Sequence, residues 1–426
     1  VIKRVFPVIA LAVFSAMLGG AILAPLLPKY VVTMGASGIG IGAVFASYSF
    51  SKALVMPIVG KYSDRLGRKQ FMAVGLFVFA CLSPAYIWVN TIEQLVLIRV
   101  IHGFAAGMIL PVARASIGDL TPVGQESRWM GYFNFTFFAG MGGGPLLGGI
   151  LYDFFAGSTN AFFGGTDSGI VAAFGTMGIL SLLAFLGVVF FLPDLKDKQW
   201  ARRRQTSFRE MGRSNYFRGL FSQRLLENMA RRCIFAFLPI YGGIIMGLSA
   251  TQIGLLMTVN TVLSAVLQPF SGRLVDRLNK KTVLIVGGLA AAAYMSLVPS
   301  VSSYGLLMLI MVVNALRTSL SSPASSGMMV EEGRRYGMAT AIATFSLGIA
   351  IGETLGPMLG GVLVDVFQND SRVALYLGAL VYLAGALLFR FFMNRADRDG
   401  TAAGLAAEGN GDPMAALEKE DRPNRF

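Results

Sequence analysis

The chain has 426 residues, 54% hydrophobic and only 14% charged, with a mean hydropathy of +0.63. That balance excludes an ordinary soluble domain of this length. A net charge of +13 would suit nucleic acid, but Lys and Arg gather in alternate loops: Lys61 to Lys69, Lys196 to Arg218, Arg273 to Lys281, Arg334 to Arg335 and Arg390 to Arg398. The loops between them, near 31–38, 153–169, 247–252 and 299–304, contain none. Apolar runs of about twenty residues recur throughout, so the pattern is that of a multipass helical membrane protein. Positive charge kept on the cytoplasmic side places both termini inside and makes the number of spans even.

In chain order the predicted spans lie near 5–31, 39–60, 70–90, 93–119, 128–152, 169–192, 219–246, 252–272, 281–299, 304–328, 336–364 and 372–394. The first is too long for a signal-peptide core and has no small-residue cleavage site after it, so it reads as a span. Residues 1–193 thus form an N-terminal six-helix bundle and 219–394 a C-terminal one. The polar, basic stretch 194–218 links them in the cytoplasm. The tail 395–426, rich in Ala, Gly and charge, is expected to be disordered and cytoplasmic. Cys81 and Cys233 fall within apolar helices and read as packing residues, not a disulfide or metal framework.

The two bundles repeat. Pro57, Gly60, Asp64 and Arg65 recur as Pro269, Gly272, Asp276 and Arg277. Pro111 recurs as Pro323, and Gly140, Gly144, Pro145, Gly148 and Gly149 as Gly352, Gly356, Pro357, Gly360 and Gly361. Every pair is 212 residues apart. One offset across three hairpins implies two homologous halves. Parallel repeats of this kind place a binding site at the membrane midplane, between halves that rock.

The loop GKYSDRLGRKQ, residues 60–70, resembles the signature of the major facilitator superfamily, with SGRLVDRLNKKT, residues 271–282, as a weaker echo. Gly60 and Gly67 are expected to form a tight turn, and Arg65, Arg68 and Lys69 to sit among lipid phosphates. The resemblance implies a fold of twelve helices in two six-helix bundles. It also implies a cytoplasmic latch of Gly60, Asp64, Arg65, Gly67 and Arg68, with Asp119 as its partner acid. The fifth-span pattern Gly131, Gly140, Gly144, Pro145, Gly148, Gly149 is similar to that of the drug:proton antiporter branch. Gly140, Gly144 and Gly148, four apart, should line one close-packed helix face. Gly131 points about 180° away from it. Pro145 should favour a kink.

RVIHGFAAG, residues 99–107, resembles the family's fourth-span motif, which links Arg99 to proton coupling. His102, the only histidine, is a further candidate. Charges inside spans normally face a cavity and a partner. Lys52, Arg231, Arg232 and Arg317, with Asn314, are therefore substrate-cavity candidates. Glu227 is the preferred proton carrier, with Glu353 its rival. Glu227 is spaced to join Arg224 and Arg231 in one polar stripe, or to form a structural ion pair with Arg231.

The cavity reads as net positive, favouring anionic or zwitterionic, amphipathic substrates. The expected function is secondary active transport, proton-coupled efflux of small organic compounds by a monomer of the inner membrane. The alternatives are an organic-anion importer or exchanger of the same fold, and a transport-dead sensor or scaffold. Neither an enzyme, a cofactor, a metal nor a nucleic-acid partner is expected, since the residues offer no catalytic set. The expected partners are the lipid bilayer, a small-molecule substrate and protons.

Overall fold

The computed structural model describes residues 2–121, 125–157, 159–160, 166–193, 211–336 and 338–409. Twelve long helices run through them: α1 (Ile2–Thr33), α2 (Gly38–Leu66), α3 (Arg68–Ala85), α4 (Ile92–Leu120), α5 (Glu126–Phe155), α6 (Ser168–Phe191), α7 (Asn215–Ile240), α8 (Ala250–Val275), α9 (Lys280–Leu297), α10 (Tyr304–Tyr336), α11 (Met338–Val366) and α12 (Ser371–Gly409). A two-residue hairpin, β1 (Thr159–Asn160) with β2 (Thr166–Asp167), joins α5 to α6. The helices α1–α6 and α7–α12 form two homologous bundles, the fold expected from the repeat.

Eleven of these helices are long and apolar enough to cross a membrane by composition. The exception is α7, which carries Arg218, Arg224, Glu227, Arg231 and Arg232. It starts four residues before the expected 219, taking the end of the basic linker into the helix; residues 194–210 of that linker lie outside the described residues. The last helix continues past the expected 394 to Gly409, so the first part of the expected tail is helical. Residues 410–426 lie outside the described residues.

The loop between α2 and α3 is a single residue. Gly67 stands at φ 105, a value that side chains rarely adopt, and its N–H donates to the Ser63 carbonyl. Gly60 lies inside α2 and takes no part in this turn, contrary to expectation. In the second half Asn279 replaces the turn glycine. There the chain spends Asp276, Arg277 and Leu278 on a longer turn, and the Asn279 side chain caps α9 by accepting from the Lys281 and Thr282 amides.

Within each half, α1 packs on α5 and α7 on α11; between the halves, α2 packs on α11, α5 on α8 and α1 on α7. The glycine face predicted on α5 is the α1 contact. A Cβ on Gly140 would stand 2.7 Å from the Phe14 carbonyl oxygen, and one on Gly144 would stand 2.5 Å from the Ala21 Cβ. One on Gly148 would strike the Ile22 carbonyl. Gly131 faces open space. The same helix has a second bare face, turned to the other half: Gly142 meets Val262, the Pro145 carbonyl meets Gly254, and Gly149 meets Ala250. The α5 helix passes through Pro145 without interruption.

Candidate functional site

The site is best located by where the repeat fails. Glu353, Lys52, Arg231, Arg232 and Glu227 correspond at the 212-residue offset to Met141, Ser264, Gly19, Gly20 and Ser15. The glycine and proline positions are shared by both halves; these five charges are not.

Glu353, on α11, is almost fully buried. One carboxylate oxygen accepts from Lys52 Nζ of α2 at 3.0 Å, and the other from Arg232 of α7 at 2.6 Å. Arg231 lies 4.0 Å from it, with its side chain half exposed. Three cations from two halves thus converge on one acid. A buried charge needs such partners, because an unpaired one costs several kcal/mol of order. Phe45 of α2 and Phe235 of α7 meet edge to face across the same interface, 6.5 Å between centroids. The Arg232 guanidinium lies over the Phe235 ring.

Glu227 sits elsewhere. It accepts from Gln223 Nε2 at 2.7 Å and lines a small cavity, about 20 Å³, together with Arg317, Ser321 and Tyr382. That is room for about one water. Arg231 donates instead to Asn228 at 2.7 Å. The polar stripe of α7 is therefore split: Glu227 faces the interior of the second half, whereas Arg231 and Arg232 turn to the interface.

Arg99, the expected coupling residue, and Arg317, an expected cavity cation, are not at the interface. Arg99 is buried inside the first half; its Nε donates to the Val44 carbonyl at 3.2 Å and its guanidinium lies over Tyr48. Arg317 donates to Asn314, Thr318 and the Gly287 carbonyl within the second half, so Asn314 serves as its anchor. His102 is fully buried, with Nδ1 2.8 Å from the Tyr86 hydroxyl and its ring against Phe79. Next to it Gly103 admits the Tyr48 carbonyl and Ser51, so the fourth-span motif seats α4 on α2.

Arg68 is buried, which corrects its expected place among lipid phosphates. The side chains of Asp64, Arg65 and Asp119 lie outside the described residues. Cys81 is exposed on α3 and Cys233 is buried beneath α11, its thiol donating to the Gly356 carbonyl at 2.9 Å.

Sequence reasoning missed the carboxylates Asp153 and Asp365, at the C-terminal ends of α5 and α11. Asp365 accepts from the Gly38 and Ile39 amides at 2.5 and 2.8 Å. Asp153 accepts from the Ala250 and Thr251 amides at 3.3 and 2.8 Å. The signal was available: the two acids are 212 residues apart, like the glycines.

The sequence model of the Major Facilitator Superfamily matches residues 9–249 and 220–417. The chain belongs to that superfamily. Among its relatives in the superfamily, an uncharacterized MFS-type transporter of Methanocaldococcus jannaschii is 28% identical, over 89% of this chain and 98% of its own length. Multidrug resistance protein 1 of Bacillus subtilis is 26% identical, over 84% of this chain and 88% of its own length. The crystal structure of a bacterial homolog of the human lysosomal transporter Spinster, inward-facing and occupied, superposes with a TM-score of 0.78 at 14% identity. That match covers 92% of this chain and 97% of the other. This facilitator chain is accordingly a multipass membrane transporter of small molecules, lodged in the lipid bilayer.

Proposed function

We propose that the protein is a proton-coupled exporter of small amphipathic compounds, acting as a monomer in the inner membrane with both termini in the cytoplasm, and that Glu353 is its coupling acid. The observation that carries this reading is the bridge from Lys52 through Glu353 to Arg232, which ties the two halves by a group that can be neutralised. Among the described residues, hydrogen bonds between the halves run from the ends opposite the basic loops to this bridge. With basic loops inside, the end closed by these bonds is the outer one. Similarity to multidrug resistance proteins supports export.

The bridge supports a reading of how substrate charge would set the coupling. Binding linkage is reciprocal. A cationic group that takes Glu353 from Lys52 and Arg232 competes with the proton, and competition at one site gives exchange, hence efflux against proton entry. An anion that takes the cations away from Glu353 leaves a carboxylate that binds a proton more readily, and the two would travel together. An exporter of this design therefore suits a zwitterion: its ammonium on Glu353, its anionic end on the freed Lys52, Arg231 and Arg232. The surplus of cations favours the anion-importer alternative, and the sign of proton movement separates the two. Glu227, turned into the second half beside Gln223 and away from the contact between halves, suits the coupling role less well.

In proteoliposomes, substrate export should drive protons in the opposite direction. Glu353→Gln should lose the response to a pH gradient while retaining counterflow of labelled substrate. Accumulation by Glu353→Gln under a pH difference alone would transfer the role to Glu227 or His102.

A further inference from the structure

We infer that Asp153 and Asp365 are a matched pair of latches that hold the outer end of the transporter shut, each carboxylate capping a helix of the opposite half. The first turn of a helix leaves four amides without intrahelical acceptors. In α2, Ser37 Oγ serves Gly40, and Asp365 serves Gly38 and Ile39. In α8, Ser249 Oγ serves Gln252, and Asp153 serves Ala250 and Thr251. Ser37 and Ser249, Gly38 and Ala250, Asp153 and Asp365 are all separated by the same 212 residues. Each helix thus caps part of its own first turn and borrows the rest from the other half.

The borrowed part breaks when the outer end opens. Until water replaces the carboxylates, two amides per helix are left bare, and each carboxylate loses the positive end of a helix dipole. The contact is also close enough to be selective. Gly42 and Gly254 admit the carbonyls of Pro357 and Pro145 one turn further in, and Gly38 lies against Gly361. The acid and the bare backbone act together: glycine permits the approach, and the carboxylate makes it favourable. This role goes beyond the coupling acid, because neither aspartate touches the central cations.

The test uses thiol accessibility in the full chain, without substrate or gradient, so its outcome is independent of the proton reading. Cys81 is replaced by Ser, and Met257, buried beneath the outer contact with Ala24 and Ile253, becomes the reporter as Met257→Cys. A membrane-impermeant maleimide is added from outside. Asp153→Asn and Asp365→Asn should each raise the labelling rate about fivefold, and the double variant about twenty-five-fold, the scale of one carboxylate at a helix N-terminus. Native Cys233, buried within one half, must stay unlabelled, which separates an opened gate from a misfolded protein. A double variant that keeps Cys233 protected and labels Met257→Cys at the parental rate overturns the assignment. Should Cys233 react in the double variant, the single Asp153→Asn and Asp365→Asn variants that keep Cys233 protected are read under the same criterion.

Discussion

The two bare faces of α5 should respond differently to the same small change. At Gly144 an added methyl would stand 2.5 Å from the Ala21 Cβ and 2.7 Å from the Leu18 carbonyl oxygen. Carbon atoms prefer about 3.5–4.0 Å, so α1 and α5 must part by about 1 Å. Overpacking of this kind costs about 1–3 kcal/mol. Replacing glycine by alanine inside a helix returns about 1 kcal/mol. Gly144→Ala should therefore lose up to about 2 kcal/mol of stability. Gly143→Ala, whose methyl would meet only Leu18 at 3.9 Å, should be neutral or gain up to about 1 kcal/mol. Gly254→Ala would strike the Pro145 carbonyl of the other half. That clash exists only while the outer end is shut, so it should leave stability intact and raise outside labelling of Met257→Cys. Thermal unfolding in detergent and maleimide labelling read the two effects apart. Equal thermal losses for Gly144→Ala and Gly254→Ala, with no change in labelling, would refute the distinction between a fixed face and a moving one.

Gly67→Ala forces a side chain to φ 105 and should cost about 1–3 kcal/mol, seen as a lower unfolding temperature; an unchanged one would mean that the α2–α3 turn relaxes freely. Tyr86→Phe removes the hydroxyl partner of His102 Nδ1, leaving a buried polar atom unmatched at about 1–3 kcal/mol, with little effect on the pH dependence of transport if His102 is structural. Lys52→Met unties the two halves at Glu353; it should reduce substrate affinity and shift the pH dependence of binding toward higher pH, because a carboxylate deprived of a cation holds its proton longer. Binding that keeps the parental pH profile would count against the bridge.

Much of this architecture is legible from residue spacing. The 212-residue repeat predicts the two bundles, and glycines four apart predict a close-packed face on α5, which the structure sets against α1. What spacing does not reveal is the second face. Pro145 and Gly149 belong to the repeated pattern, but that they share a face with Gly142 toward the other half does not follow until α8 is laid against them. Charges are harder still. Glu227 and Arg231 are four apart on one helix, the spacing of an ion pair, yet Arg231 turns toward Glu353, which lies 122 positions further along the chain. A helical stripe tells which side chains share a face; it does not tell which neighbour the face meets. Arg68 shows the same limit. Its position in a basic loop suggests the lipid surface, but the single-residue turn draws it inward.

The backbone contacts that close the outer end bear on insulation. A transporter loses its driving gradient if water can thread the closed gate, since a chain of waters conducts protons. Side chains that fray or swap rotamers leave such gaps. Here Gly38 lies on Gly361 and Gly149 on Ala250, main chain against main chain, with no room for a methyl group between them. At both Gly38 and Gly149 an atom in the Cβ position would stand closer to the facing carbonyl oxygen than the about 2.7 Å of an O–H···O hydrogen bond, so a water oxygen does not fit there either. Glycine at these positions therefore keeps the barrier dry, and a variant that props them apart would dissipate the gradient even with every charge in the central site in place.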